Sequence, residues 1–255
     1  MYIQEISIDI KSQVDKDMLW GEFSLLAKFY RDSGQTQGQI ASQYISDDRI
    51  VYLPFTLEKD SLDKKYNNQY VNKHTKTVEE LCNSIISTKT VGETHEGYTG
   101  PCTCEKPDYY ILITNYLTIE SPLTCGTCHR SVPLYRIPAY YDEGYVPILS
   151  WETNYISCDS LQMNCEVGER WALRQMQEID SQLSKQGLEI CGKIEDLTSI
   201  PTYYYLHNWK KRKGQQLLKP CPVCKGKWEL ETPLHNRYDF KCDNCRIIST
   251  VSPYF

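Results

Sequence analysis

The sequence predicts an α+β protein: an N-terminal ferredoxin-like βαββαβ unit, a central β-rich part with a cysteine-pair zinc knuckle, and a C-terminal zinc ribbon. Three observations predict it. Strand-like and helix-like patterning alternates over the first hundred residues. Aromatic and β-branched residues dominate much of the middle. Eight of the twelve cysteines fall into two quartets, Cys102, Cys104, Cys125, Cys128 and Cys221, Cys224, Cys242, Cys245.

In chain order, Ile6, Ile8 and Ile10 take alternate places, as a half-buried strand requires. Asp15 to Asp32 reads as a helix, with Met18, Leu19, Phe23, Leu25, Leu26 and Phe29 on one broad apolar face. Gln39–Ile45 and Arg49–Leu57 read as two strands joined at Asp47 and Asp48. Leu62 to Ser87 reads as a longer polar helix with Val71, Val78, Leu81, Ile85 and Ile86 inward, and Thr88 to Thr94 as a final strand. That order is the split βαβ pattern and sets a first domain at 1–96. A second, 97–208, opens on a Gly/Pro/Thr stretch. Within it Tyr109–Ile119, Val132–Pro138 and Tyr145–Cys158 read as β structure, and Glu169–Lys185 as a helix. Leu188–Leu197 extends or follows that helix, with breaks near Gly187 and Gly192, and Tyr203 to Tyr205 suits a strand. A third domain, 209–255, holds the ribbon.

The C-terminal quartet is the stronger metal signal. Two residues separate each pair and seventeen lie between the pairs. Each tight turn aims two sulfurs at one point, and a hairpin brings the second pair back to the first. Trp228, Leu230 and Thr232 alternate toward a turn at His235 and Asn236; Ile247, Ile248 and Val251 form a third strand. So short a module buries too little apolar surface to fold alone, so metal supplies stability. Four thiolates suit zinc; iron is the chemical alternative. The middle quartet has one good knuckle, Cys125-Gly126-Thr127-Cys128, and a one-residue spacing at Cys102 and Cys104. Two structural zinc ions are therefore expected. His129 adjoins Cys128, but adjacent residues rarely both point at one ion, so it is only a minor alternative to a cysteine. The remaining cysteines, Cys82, Cys158, Cys165 and Cys191, read as buried free thiols.

Charge is uneven. Residues 205–255 carry ten Lys and Arg against four acids, a net +6, which leaves −11 on the rest. Trp209 with Lys210, Lys211, Arg212 and Lys213 forms a candidate partner-binding cluster, read either as a solvated linker or as a contact for phosphates or an acidic partner. No Ser/His/Asp grouping, phosphate-cradling Gly loop or His-Glu-x-x-His helix is present, and closed four-sulfur sites leave no position for a substrate. The reading is therefore non-enzymatic. No signal-peptide-like start or apolar run of membrane-span length occurs, so the expected location is cytoplasmic, with no membrane partner and no small-molecule substrate.

Several stretches carry a resemblance. They are Leu183-Ser184-Lys185, Gly187, Cys191, Ile194 and Glu195; Pro201 through Leu206; Cys221-Pro222-Val223-Cys224 and Trp228; Asp239 through Arg246; and Ser121 through Tyr135 around Cys125, Gly126 and Cys128. Together they resemble bacterial proteins of unassigned activity named as zinc-ribbon-containing and as nucleic-acid-binding candidates. The resemblance implies metal ligation at the ribbon cysteines and does not by itself imply any activity. One departure is Lys225, where such knuckles usually carry glycine. The family's association with bacterial toxin loci implies an immunity role. The resulting expectation is a protein-binding module of immunity or inhibitor type that blocks a toxin. Nucleic-acid binding through the basic ribbon is the alternative.

Overall fold

A computed structural model of the chain describes residues 1–94, 98, 100–142, 144–208 and 220–251. The fold is mixed α+β, with two sheets. It forms two compact units: Met1–Cys102 with Ile119–Ser121 and Arg130–Val146, and Thr103–Thr118 with Pro122–His129 and Pro147–Phe255. Among the described residues no helix is long and apolar enough to cross a membrane.

The first unit contains β1 (Tyr2–Asp9), α1 (Lys16–Asp32), β2 (Gln37–Ile45), β3 (Arg49–Thr56), α2 (Gln69–Cys82) and β4 (Ser87–Glu93). Its sheet runs β2-β3-β1-β4 with every pairing antiparallel. Ile6 lies opposite Tyr52 and Ile8 opposite Ile50. Both isoleucines are buried with Leu19, Phe23 and Leu26 of α1 and Val71 and Val78 of α2. Asp15 starts α1 where the sequence places it, its Oδ1 accepting the Met18 N–H at 2.8 Å. On α1, however, Met18 and Leu25 stay exposed, and Tyr30 is buried in their place.

The expected helix from Leu62 to Ser87 is shorter. Asn68 Oδ1 accepts the N–H groups of Tyr70 and Val71, which fixes the start, and Asn83 ends the helix in the left-handed region at φ 47°. Ile85, expected inward, falls beyond that cap and is 78% exposed. His74 is buried beside Phe29, with its Nδ1 3.0 Å from Glu22 Oε2.

The second unit is built on a six-stranded sheet ordered β6-β5-β7-β10-β9-β8. Its strands are β5 (Tyr110–Leu112), β6 (Leu123–Cys125), β7 (Thr202–Tyr205), β8 (Glu229–Leu234), β9 (Tyr238–Cys242) and β10 (Ile247–Ser249). β5 and β10 both run parallel to β7. The three consecutive segments expected from the sequence thus meet in two units, and the sheet runs unbroken from Leu123 of the middle segment to the C-terminal hairpin. Alternation along β7 divides its tyrosines. Tyr203 and Tyr205 pack with Ile111, Tyr238 and Ile248, while Tyr204 meets the Trp151 ring edge-on, centroids 6.1 Å apart.

Helices α3 (Val146–Asn164), α4 (Glu169–Gln177) and α5 (Gln182–Thr198) complete this part of the chain. Here several expectations are corrected. Tyr145–Cys158 is not β structure but most of α3; its buried positions Ile148, Trp151, Glu152, Tyr155, Cys158, Asp159 and Gln162 recur at helical spacing. The strand expected over Tyr109–Ile119 stops at Leu112. Beyond it, Asn115 Oδ1 accepts the N–H groups of Leu117 and Thr118 and turns the chain. Val132–Pro138 contains the 3-10 turn Leu134–Arg136 instead of a strand. The helix expected over Glu169–Lys185 is also broken. Glu178 is extended, and Ser181 caps α5 by accepting the Ser184 N–H at 3.0 Å. α5 then continues through Gly187 and Gly192 without interruption.

Candidate metal centres

In each cysteine quartet the four Sγ atoms lie within 4.8 Å of one another. Sulfurs bound at about 2.3 Å around a tetrahedral ion sit about 3.8 Å apart. The Cys224–Cys242 separation is 3.7 Å. Each quartet can hold a metal ion.

The C-terminal centre is assembled by two knuckles. At the first, the Lys225 N–H donates to Cys221 O at 3.0 Å and the Cys221 N–H donates to Gly226 O at 2.8 Å. This tight turn puts Lys225 at φ 61°. At the second, Arg246 takes the equivalent left-handed conformation at φ 53°. Cys221 and Cys242 are buried, Cys224 is exposed and Cys245 lies between. The hairpin joining the knuckles turns at His235 and Asn236, both at positive φ, and Arg237 N–H donates to Leu234 O at 2.9 Å. Trp228 stacks on Phe240 at 4.8 Å between centroids.

The thiols respond to this crowding in opposite directions. The Gly226 backbone bond, then the neighbouring sulfurs, pull Cys224 down to about 7. Desolvation, then the other sulfurs, push Cys245 up to about 12, and desolvation raises Cys242. Four adjacent sulfurs cannot all carry charge unaided. A bound dication permits it, and metal ligation requires thiolates.

The middle centre repeats the knuckle. The His129 N–H donates to Cys125 O at 2.8 Å, and His129 sits at φ 57°. Cys102 and Cys125 are buried; Cys104 and Cys128 are half-buried. Gly126 is required here, because a Cβ would come within 2.2 Å of the Tyr109 ring. Its N–H donates to Tyr109 O at 2.8 Å. The one-residue spacing of Cys102 and Cys104 suits this role, since alternate residues of an extended chain face the same side.

His129 is not a ligand in either quartet. Its Nε2 lies 2.9 Å from Tyr238 Oη, and its ring packs on His235, whose Nε2 lies 2.6 Å from Gly126 O. Burial pushes His129 down to about 4. Of the four unclustered cysteines, Cys82, Cys158 and Cys191 are buried as expected; Cys165 is exposed, at φ 57° after the end of α3. Trp209, Lys210, Lys211, Arg212 and Lys213 lie outside the described residues.

Sequence reasoning missed the shell around the second knuckle. Arg246 makes a bidentate pair with Glu195, Nε–Oε2 2.9 Å and Nη2–Oε1 2.8 Å, and its Nη1 donates to Asp243 O. The Asp243 carboxylate pairs with Lys241 and accepts the Tyr203 hydroxyl at 2.5 Å. The Lys241 ammonium lies 4.5 Å from the Tyr203 ring centroid. No spacing rule links Glu195 of α5 to Arg246, so nothing in the sequence announces this network.

Three family models, each described as a domain of unknown function, match the chain: DUF8589 over residues 1–92, DUF2310 over 104–207 and DUF8594 over 210–255. A Haemophilus influenzae protein named only as uncharacterized is 33% identical over 202 residues, 76% of this chain and 75% of its own length. The chain belongs to its family. A second uncharacterized protein from the same organism is 35% identical over 151 residues, 57% of this chain and 72% of that protein. No solved structure matches.

Proposed function

We propose that both quartets are structural zinc centres and that the protein works by holding a macromolecule rather than by transforming a substrate. The observation that carries this reading is the gathering of eight sulfurs into two groups, each within 4.8 Å. A closed four-thiolate site offers no open position to a reactant and contributes folding energy instead. In this reading the C-terminal module is a zinc ribbon of the nucleic-acid-binding-candidate type. The first unit, with its β2-β3-β1-β4 order, is ferredoxin-like.

The partner we favour is a basic protein, bound in the cytoplasm in the manner of an immunity protein or inhibitor of a toxin. The support is the net −11 outside residues 205–255, which steers toward positive surfaces. The opposite local charge, +6 over residues 205–255, favours nucleic acid as the second reading.

Metal analysis of protein produced in minimal medium tests the first part. Two equivalents of zinc are expected, falling to one in Cys221→Ser and to one in Cys125→Ser. Iron, or retention of two equivalents in either variant, would refute it. Capture from the native host's lysate with and without nuclease tests the second. A basic protein retained after nuclease treatment supports the favoured partner. Steeply salt-dependent oligonucleotide binding, lost when Lys210, Lys211, Arg212 and Lys213 become Gln, transfers the function to nucleic acid.

A further inference from the structure

Three helices of the second unit frame a groove of about 620 Å³. Its described walls all come from residues 154–189, a stretch described without a gap. Helical spacing brings the side chains together. Asn154, Ser157, Cys158 and Leu161 share one stripe of α3. Trp171 and Gln175 share one of α4, and Gln182, Lys185, Gln186 and Glu189 share one of α5. Cys158 and Leu183 are buried and Leu161 is half-buried, so the apolar part of the groove lies at its base. The volume falls within the range of cavities that hold small organic ligands, roughly 300–1,000 Å³.

Two features give the groove a chemical preference. The first is Trp171, which is 56% exposed and has no ring partner among the described residues. An indole face carries the negative part of the ring quadrupole and attracts polarised C–H groups. The second is the set of neutral polar groups around it. Asn154, Gln182 and Gln186 are exposed, and their side chains make no hydrogen bond among the described residues. Ser157 Oγ donates to Thr153 O at 2.8 Å and keeps its lone pairs free to accept. Gln175 Oε1 accepts the Leu183 N–H at 3.4 Å, which holds its amide in place. A side-chain amide both donates and accepts, as a hydroxyl does, so these groups match a molecule that offers several hydroxyls. Lys185 and Glu189 cancel in formal charge, so the described walls offer an ion no net counter-charge.

We propose that this groove binds a neutral saccharide, with the C–H face of one pyranose ring on Trp171 and its hydroxyls on the amides of Asn154, Gln182 and Gln186. The sugar is held and not cleaved. Glycoside hydrolysis ordinarily needs a pair of carboxyl groups, and Glu189 is the sole carboxylate among the described lining residues. No quartet cysteine lines the groove, so the site leaves both metal centres intact and is independent of the macromolecular partner proposed above.

The test uses the full zinc-loaded chain, ¹⁵N-labelled, with the Trp171 indole N–H resonance identified through Trp171→Phe. Cellobiose, maltose, lactose and N,N′-diacetylchitobiose are titrated to about 20 mM, a range that captures millimolar affinities. Cyclohexanol, a ring with a single hydroxyl, is titrated beside them. At least one disaccharide should shift the Trp171 resonance saturably and bind at least roughly fivefold more tightly than cyclohexanol. Replacing both amides, Gln182→Ala with Gln186→Ala, should weaken that disaccharide roughly tenfold and leave cyclohexanol unchanged. Trp171→Ala should abolish saturation transfer from protein to sugar while zinc content stays unchanged. No saturable shift with any of the four disaccharides, equal affinity for cyclohexanol, or undiminished saturation transfer in Trp171→Ala would each overturn the assignment. The comparison with cyclohexanol uses the unaltered chain, so it decides the matter even where a variant fails to fold.

Discussion

Two glycines of one helix should respond differently to the same substitution. Gly187 and Gly192 both lie inside α5, where helix propensity alone favours alanine by about 1 kcal/mol at either site. Gly192 is exposed, and a Cβ there would meet nothing within 4 Å. Gly192→Ala should therefore stabilise by about 1 kcal/mol. At Gly187 a Cβ would stand 2.2 Å from Tyr204 Cε2, 2.5 Å from its Cδ2 and 3.0 Å from Trp151 Nε1. Both rings are fully buried, so neither has room to retreat. Moving the Tyr204 ring also disturbs its hydroxyl contact with Ser184 Oγ, 3.3 Å away. Overpacking of this kind costs about 1–3 kcal/mol, which equals or exceeds the propensity gain, so Gly187→Ala should be neutral to destabilising and the two variants should differ by about 1–3 kcal/mol. Urea unfolding at saturating zinc, followed by intrinsic fluorescence, measures the difference. If Gly187→Ala proves as stable as Gly192→Ala, α5 does not pack against β7 as described.

Further predictions concern the knuckles and one histidine. Lys225 occupies a left-handed conformation that costs an L-residue about 1–2 kcal/mol, partly offset in glycine by chain entropy. Lys225→Gly should therefore hold zinc at least as well as the parent in a chelator competition, and Lys225→Val should release it sooner; the reverse order would contradict the knuckle geometry. Gly126→Ala should loosen the middle centre alone, because the new methyl meets the Tyr109 ring. Chelator should then remove one equivalent of zinc early and leave the other as in the parent. Burial favours neutral His207 in the folded state, pushed down to about 4, whereas the unfolded side chain takes up a proton near pH 6.5. Its contribution is thus fully present above about pH 6.5 and is lost as pH falls toward about 4. Relative to His207→Phe, the parent should lose up to about 1.4 kcal/mol more per pH unit across that window. Parallel unfolding curves for the two proteins measure it, and identical pH profiles would refute the burial argument.

The legible parts of this chain were those where one interaction dominates locally. Alternating Ile6 and Ile8, the Asp15 cap and the C-x-x-C turns each declare their geometry within a few residues. α3 was illegible because three residues of its inward stripe, Glu152, Asp159 and Gln162, are polar yet buried. They broke the apolar period while Tyr145, Val146, Ile148, Trp151 and Tyr155 supplied β-forming composition. Asp159 is positioned by a long-range bond, accepting the Tyr116 N–H at 2.9 Å, which no window of sequence contains. Gly187 misled in another way. It reads as a helix breaker, but it serves close packing of α5 on the Tyr204 ring. The cysteine quartets could be grouped by spacing, whereas the Glu195–Arg246 pair beside one of them joins residues with no common motif.

The position of β7 between β5 and β10 bears on how the molecule is made. During translation β5 and β6 leave the ribosome early, and β7 follows, yet its second edge stays open until Ile247–Ser249 has been synthesised and the knuckles before it have captured their ion. A pause or a shortage of metal at that stage would expose a tyrosine-rich strand edge to neighbouring nascent chains. In the proposed reading, supply of the metal ion during synthesis would then govern the soluble yield of this protein before it governs anything the finished molecule does.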